Sequence, residues 1–182
     1  MTEQDFQNKF IIRRLDSSHR VGDFDCHDDD LNDFIRREAI EYEKTLLSIT
    51  YLVINKTTGE LAAYFSLAND KISITDFESK TDFNRFRKQK FVNEKRLRSY
   101  PAIKIGRLAI SYKYQNQSLG RILIDFIKQY SLRNRYAGCR FITVDAYINA
   151  LPFYIKNDYQ FLNNDDEDKN TRVMYFDLVS LL

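Results

Sequence analysis

Apolar residues recur along the chain at two periods, near two and near 3.6, and the changes between them set out the elements. Phe10-Ile11-Ile12 begins a short strand. Asp28-Asp29-Asp30 then opens a helix, because carboxylates favour the positive end of a helix dipole. Leu31, Phe34, Ile35, Tyr42 and Leu46 supply the apolar stripe of that helix. Ile49 to Ile54 predicts a strand, Asn55-Lys56-Thr57-Thr58-Gly59 a turn, and Leu61 to Leu67 the returning strand of a hairpin. Asn69 to Tyr100 is polar and reads as irregular or helical. Ala102 to Ile110 predicts a strand, Leu119 to Arg135 a helix, and Phe141 to Ala146 another strand. Asn149 to Asn157 predicts a short helix with Pro152 in its first turn, where a ring without an N–H is tolerated. Tyr159 to Leu162 and Val173 to Leu178 close the chain as a pair of strands around the acidic turn Asp165-Asp166-Glu167-Asp168.

An antiparallel start followed by strand–helix–strand crossovers implies an α/β fold, a mixed central β-sheet with helices on both faces. Two elements carry finer detail. In the helix from Leu119, the residues Leu119, Ile122, Leu123, Phe126, Ile127 and Tyr130 share one face, with Asp125, Lys128 and Gln129 outside it. In the strand before it, Ile103 and Ile105 point one way and Leu108 and Ile110 the other. The apolar phase therefore slips at Gly106-Arg107, as at a β-bulge. A strand buried on both faces would give the same pattern without a bulge.

Composition narrows the classes. The chain has 182 residues, which suits one domain over 1–182, and its 43% hydrophobic content is ordinary for a globular protein. With only 5 Gly and 2 Pro it does not read as linker-rich or disordered. Cys26 and Cys139 form no cluster and read as reduced thiols. His27 lies among Asp25, Cys26 and Asp28, but no second group supplies further ligands, so no metal is expected. The polar N-terminus and the absence of an apolar run of about 20 residues predict a cytoplasmic protein with no membrane partner.

The formal net charge is +2, yet the segment from Lys80 to Lys104 alone carries +7. Its cations are Lys80, Arg85, Arg87, Lys88, Lys90, Lys95, Arg96, Arg98 and Lys104, set against Asp82 and Glu94. Phe83, Phe86, Phe91 and Tyr100 are interleaved with them. Such a segment fits an RNA-facing patch. It fits equally a solvated helix whose aromatics pack inward.

The stretch from Ala102 to Leu123 carries the candidate chemistry. A strand, a polar loop from Ser111 to Ser118 and a helix start at Leu119 together make an anion cradle, since a helix start leaves backbone N–H groups without internal partners. The loop is neither a Walker A motif nor a Rossmann fingerprint. Gln115-Asn116-Gln117-Ser118-Leu119-Gly120 resembles the diphosphate-binding loop of GNAT acetyltransferases. That family's pattern is Gln or Arg, two residues, Gly, one residue, then Gly or Ala. Gln115 and Gly120 match, and Ser118 stands where the first Gly is usual. Downstream, Asn149 to Tyr159 resembles the family segment in which an aromatic–Tyr pair precedes an Asn-Gly-Phe turn. Phe153-Tyr154 is the pair, Asp158 and Tyr159 replace the Gly and Phe, and Asn157 is expected to supply the left-handed residue.

The resemblance implies the GNAT fold and acetyl-CoA as cosubstrate without a metal. It implies cofactor contacts from Leu108, Ala109, Ile110, Gln115, Asn116, Gln117, Ser118, Leu119, Gly120, Arg121 and Asn149, and a proton-donating Tyr154. An amine, whether a small molecule, a protein or an aminoacyl-tRNA, would attack the thioester directly. The general base is left open among Asp145, Glu60 and water. Phe24-Asp25-Cys26, Tyr100-Pro101-Ala102 and Gly106-Arg107-Leu108-Ala109 resemble the branch containing toxins that acetylate aminoacyl-tRNA. That branch implies an antitoxin partner and a homodimer. The alternative is a GNAT-fold module that binds CoA or RNA without catalysis.

Overall fold

The computed structural model describes residues 1–19, 21–91, 97–133, 137–163 and 170–182. The chain divides into two compact units, 1–68 with 105–129 and 69–104 with 130–182. The predicted acidic turn Asp165–Asp168, the charges of Glu94, Lys95 and Arg96, and the last predicted helical residues, Asn134 and Arg135, lie outside the described residues.

The first unit opens with α1 (Glu3–Lys9), which no apolar stripe announced. A capping box holds it. The Thr2 hydroxyl accepts the Asp5 N–H at 3.1 Å, and the Asp5 carboxylate accepts the Thr2 N–H at 2.8 Å. β1 (Phe10–Arg14) pairs antiparallel with β2 (Ile49–Asn55), and β2 with the first part of β3 (Leu61–Ser73). The hairpin expected from the turn residues is present, and its register shifts between Val53 and Ile54. β3 runs on to Ser73, six residues beyond the expected end.

Asp28 caps α2 (Asp29–Asp33), its carboxylate accepting the Leu31 N–H at 3.0 Å. The acidic run is therefore a helix start, as its charge pattern predicted. One π turn (Phe34–Glu38) follows and then α3 (Ala39–Lys44). A π turn takes one residue more than an α turn and rotates everything after it. The predicted stripe breaks there: Phe34, Ile35 and Ala39 are buried, whereas Tyr42 is exposed and Leu46 is 90% exposed. Phe34 and Ile35 pack with Phe24, Leu52, Tyr64 and Ala109 in the core of this unit. The Tyr64 hydroxyl donates to the Leu31 carbonyl at 2.6 Å, and burial pushes its phenol well above the ordinary value.

β4 (Ser99–Ile110) is one continuous strand. Its buried positions are Tyr100 and Ala102, then Ile105 and Ala109, so the phase changes at Ile103–Lys104 and not at Gly106–Arg107. Gly106 has another reason to be glycine. A Cβ there would meet the Ser66 hydroxyl oxygen at 3.0 Å. α5 (Leu119–Arg133) buries Leu119, Leu123, Ile124 and Ile127. Its buried face lies one residue further round than the pattern indicated. Ile122 and Phe126 are half-buried, and Lys128, expected outside, is 5% exposed.

In the second unit, Ser79 caps α4 (Lys80–Lys90) by accepting the Asp82 N–H at 3.2 Å. Phe83 and Phe86 enter a core with Ile72, Tyr100, Phe141, Leu162 and Tyr175. β5 (Phe141–Tyr147) pairs antiparallel with β7 (Thr171–Asp177), and β6 (Gln160–Phe161) flanks β7. A 3-10 turn at Ile148–Ala150 leads into α6 (Leu151–Lys156), with Pro152 in its first turn as expected. The left-handed residue after α6 is Asp158 at φ 65°, not Asn157, whose φ is −105°. The seven strands form one mixed sheet in the order β1-β2-β3-β4-β5-β7-β6.

Candidate active site

The anion cradle lies in the first unit. After β4, Ser111 is buried and its N–H is held by the Ala62 carbonyl at 2.9 Å. A 3-10 turn, Tyr112–Tyr114, follows, and Gln115 to Ser118 are exposed. Two of these residues adopt left-handed backbone, Asn116 at φ 59° and Ser118 at φ 64°. Ser118 thus occupies, without being glycine, a conformation that favours glycine. Its carbonyl accepts the Ile122 N–H at 3.2 Å, the first bond of α5. The N–H groups of Leu119, Gly120 and Arg121 precede that bond, so the helix itself provides no acceptor for them. Together with the dipole of a 15-residue helix and the exposed Arg121, they suit a phosphate.

Side chains fix this loop from behind. The Gln115 amide donates to the carbonyls of Ile110, at 3.1 Å, and Cys26, at 3.3 Å. Gln117 Nε2 donates to the Lys113 carbonyl at 3.0 Å. The buried Tyr114 hydroxyl accepts from Asn55 Nδ2 at 3.1 Å and donates to Glu60 at 3.0 Å. Tyr112 stacks on His27 with ring centroids 5.0 Å apart. The part that Tyr112, Tyr114, Asn55 and His27 play in holding this loop had no sequence signal, because their partners lie tens of residues away. Of the strand residues expected to touch cofactor, Leu108 and Ile110 are half-buried. Ala109 packs in the core, which leaves only its backbone for a ligand.

Glu60 is a structural tie. Hydrogen bonds from Lys113, then Tyr114 and Thr58, hold its carboxyl below the ordinary value, which makes it a poor base. Asp145, in the second unit, forms an ion pair with Lys104.

Tyr154 and Asn149 also belong to the second unit. Asn149 is exposed in the turn before α6. Tyr154 is buried, edge-on to Phe153 and Tyr159 at centroid distances of 5.1 and 5.3 Å. Burial pushes its phenol well up, so it keeps its proton throughout the physiological range. Phe83, Phe86 and Tyr100 are buried and Phe91 half-buried, so the aromatics of the basic segment pack inward. Arg87 is buried over the Phe83 ring, while Lys80, Arg85, Lys88 and Arg98 remain exposed.

The family described as acetyltransferase (GNAT) domain matches residues 86–178, just over half of the chain. The chain belongs to the GNAT acetyltransferase family. This GNAT chain matches no curated protein. Solved structures share its fold. A tyrosine-to-phenylalanine mutant of KacT is 20% identical over 95% of this chain and 97% of its own, with a TM-score of 0.75. AtaT complexed with acetyl-methionyl-tRNAfMet is 22% identical over 94% and 96%, with a TM-score of 0.71. A mutant AtaT toxin bound to the C-terminus of the antitoxin AtaR and to acetyl-CoA is 19% identical over 95% and 96%, with a TM-score of 0.68. Among the described residues of this GNAT chain no helix is long and apolar enough to cross a membrane. Among the same residues, no group of three or more His, Cys, Asp or Glu side chains could hold a metal ion.

Proposed function

We propose that the protein is an acetyl-CoA-dependent N-acetyltransferase acting on a primary amine by direct transfer. The observation that carries this is the exposed turn with left-handed Asn116 and Ser118 at the start of α5. Those backbone N–H groups, from Gln115 to Arg121, receive the diphosphate. The backbone of Leu108, Ala109 and Ile110 lies along the pantetheine arm, and Asn149 adds a polar contact. Acetyl-CoA supplies the activated acyl group when bound. The chain holds it beside the amine, so that much of the barrier is removed by proximity and orientation. Backbone N–H donors of β4 steady the carbonyl oxygen as charge develops there. Tyr154 faces the departing thiolate in this scheme and donates its hydroxyl as charge develops on sulfur; burial raises its pKa and makes it the weaker acid, which favours a hydrogen bond over full proton transfer. Water takes the amine proton, since Glu60 is tied and Asp145 is paired.

The acceptor we favour is the aminoacyl end of a charged tRNA. The likeness to AtaT, solved with acetyl-methionyl-tRNAfMet, supports it. So do the exposed cations Lys80, Arg85 and Lys88 along α4. The likeness to AtaT bound to AtaR supports an antitoxin as partner. The test is release of CoA thiol from acetyl-CoA with charged tRNAs, free amines and amine-bearing peptides in parallel. Turnover with charged tRNA that falls steeply with salt is expected. Salt-insensitive turnover on a free amine alone moves the acceptor to a small molecule.

A further inference from the structure

A cavity of about 520 Å³ lies wholly within the second unit. The carboxylates of Asp70, Asp76, Glu78 and Asp145 line it against the ammonium groups of Lys71 and Lys104, which leaves it two negative charges in excess. Ile72, Leu162 and Val173 give it an apolar wall, which is the edge of this unit's core.

The fold already uses two of the acids. Asp76 accepts the Ser73 N–H at 2.6 Å and so caps the turn that follows β3. Asp145 is paired with Lys104. Asp70 and Glu78 differ. Asp70 receives the hydroxyl of Thr143, a residue 2% exposed on β5, which orients one carboxylate oxygen and leaves the charge in place. Glu78 is exposed and lines the same cavity. Excess negative charge over an apolar wall attracts a cation on an aliphatic body and repels phosphate.

We infer that this cavity receives the ammonium-bearing end of the acceptor, an ammonium group on a short aliphatic body, with Asp70 and Glu78 as its charge partners. The inference rests on the proposed transfer to an amine. The chemistry is shared by two sources, a free alkylamine and the aminoacyl end of a charged RNA. In the second case the RNA phosphates must lie outside the cavity.

The test is calorimetric binding, without acetyl-CoA, of n-pentylamine and leucine methyl ester beside their uncharged counterparts, n-pentanol and N-acetyl-leucine methyl ester. The full chain is used, as wild type, Asp70→Asn, Glu78→Gln and the control Lys44→Ala, at an exposed position of the first unit. Saturable binding of a charged probe, absent for its uncharged counterpart, is expected. Asp70→Asn and Glu78→Gln should each weaken it at least about tenfold, and Lys44→Ala should leave it unchanged. Equal binding of pentanol and pentylamine overturns the inference. So does wild-type affinity in both acid variants. Should Asp70→Asn melt early, the exposed Glu78→Gln carries the test. Pentylamine alone binding points to a free amine, and leucine methyl ester alone to an aminoacyl end. Acetyl transfer at wild-type KM in both acid variants keeps the acetyltransferase reading and discards the cavity. Charged probes that bind without any transfer do the reverse.

Discussion

The Tyr114 hydroxyl donates to the Glu60 carboxylate at 3.0 Å, and Lys113 meets the same carboxylate at 2.7 Å. This contact ties the loop that precedes α5 to the start of β3. The carboxyl of Glu60 is held below its ordinary value, first by the hydrogen bond from Lys113. A group whose folded pKa is depressed stabilises the fold above its unfolded pKa and loses that contribution as pH falls through its folded pKa. The melting difference between wild type and Glu60→Gln should therefore be full at neutral pH and shrink as pH drops below the ordinary carboxylate range. Thermal melts from pH 7 to pH 3 check it. A difference that stays constant over this range would mean that the charge of Glu60 does not matter.

Ser118 sits at φ 64° in the cradle, a conformation that costs a non-glycine residue about 1–2 kcal/mol. Ser118→Gly removes that strain but adds freedom to the unfolded chain, an opposing effect of about 0.4–1 kcal/mol. The net expectation is a small rise in melting temperature, on the order of 2 °C for a chain of this size, with acetyl-CoA affinity equal or better. Ser118→Ala keeps the strain and should not stabilise. A drop in melting temperature for Ser118→Gly would show that the serine hydroxyl contributes more than the strain costs.

Tyr154 is buried between aromatic rings, and its phenol is held protonated. Tyr154→Phe keeps the ring and removes only the proton donor. It should lower kcat by about 10²-fold or more while acetyl-CoA affinity and melting temperature stay close to wild type. Steady-state kinetics beside calorimetry separate these effects. Unchanged kcat assigns the proton to water, and a large fall in melting temperature makes the hydroxyl structural.

Where side-chain burial imposes a period, the elements were legible in the residues. The hairpin of β2 and β3 and the helix from Leu119 begin where alternation and the 3.6 period placed them, though β3 runs on to Ser73 and the buried face of the helix is turned by one residue. The acid at Asp28 was legible as a cap for the same physical reason that it is one. Features made by the backbone left no such trace. The π turn at Phe34–Glu38 has ordinary residues, so the stripe was carried too far, to Tyr42 and Leu46. α1 buries only Phe6 and stands on its capping box, so no apolar face announced it. The left-handed state of Ser118 was hidden because serine rarely adopts it. Lys128 read as exposed because its charge hides a long apolar stem. The exposed turn before α5 stands where the polar residues put it, whereas its fastening by Tyr114, Asn55 and Glu60 depends on contacts distant in sequence.

In the proposed function the start of α5 holds the diphosphate of acetyl-CoA. Gly120 is the second residue of that helix, where an aspartate suits the dipole and has a better helix propensity than glycine. Gly120→Asp should leave the melting temperature equal or raised while placing a carboxylate beside the phosphates. The most direct measurement is calorimetric titration of acetyl-CoA into wild type and Gly120→Asp. Stoichiometric binding to wild type, weakened at least about tenfold in a well-folded variant, is the predicted result. Equal affinity in both proteins, or no binding to wild type, contradicts the claim.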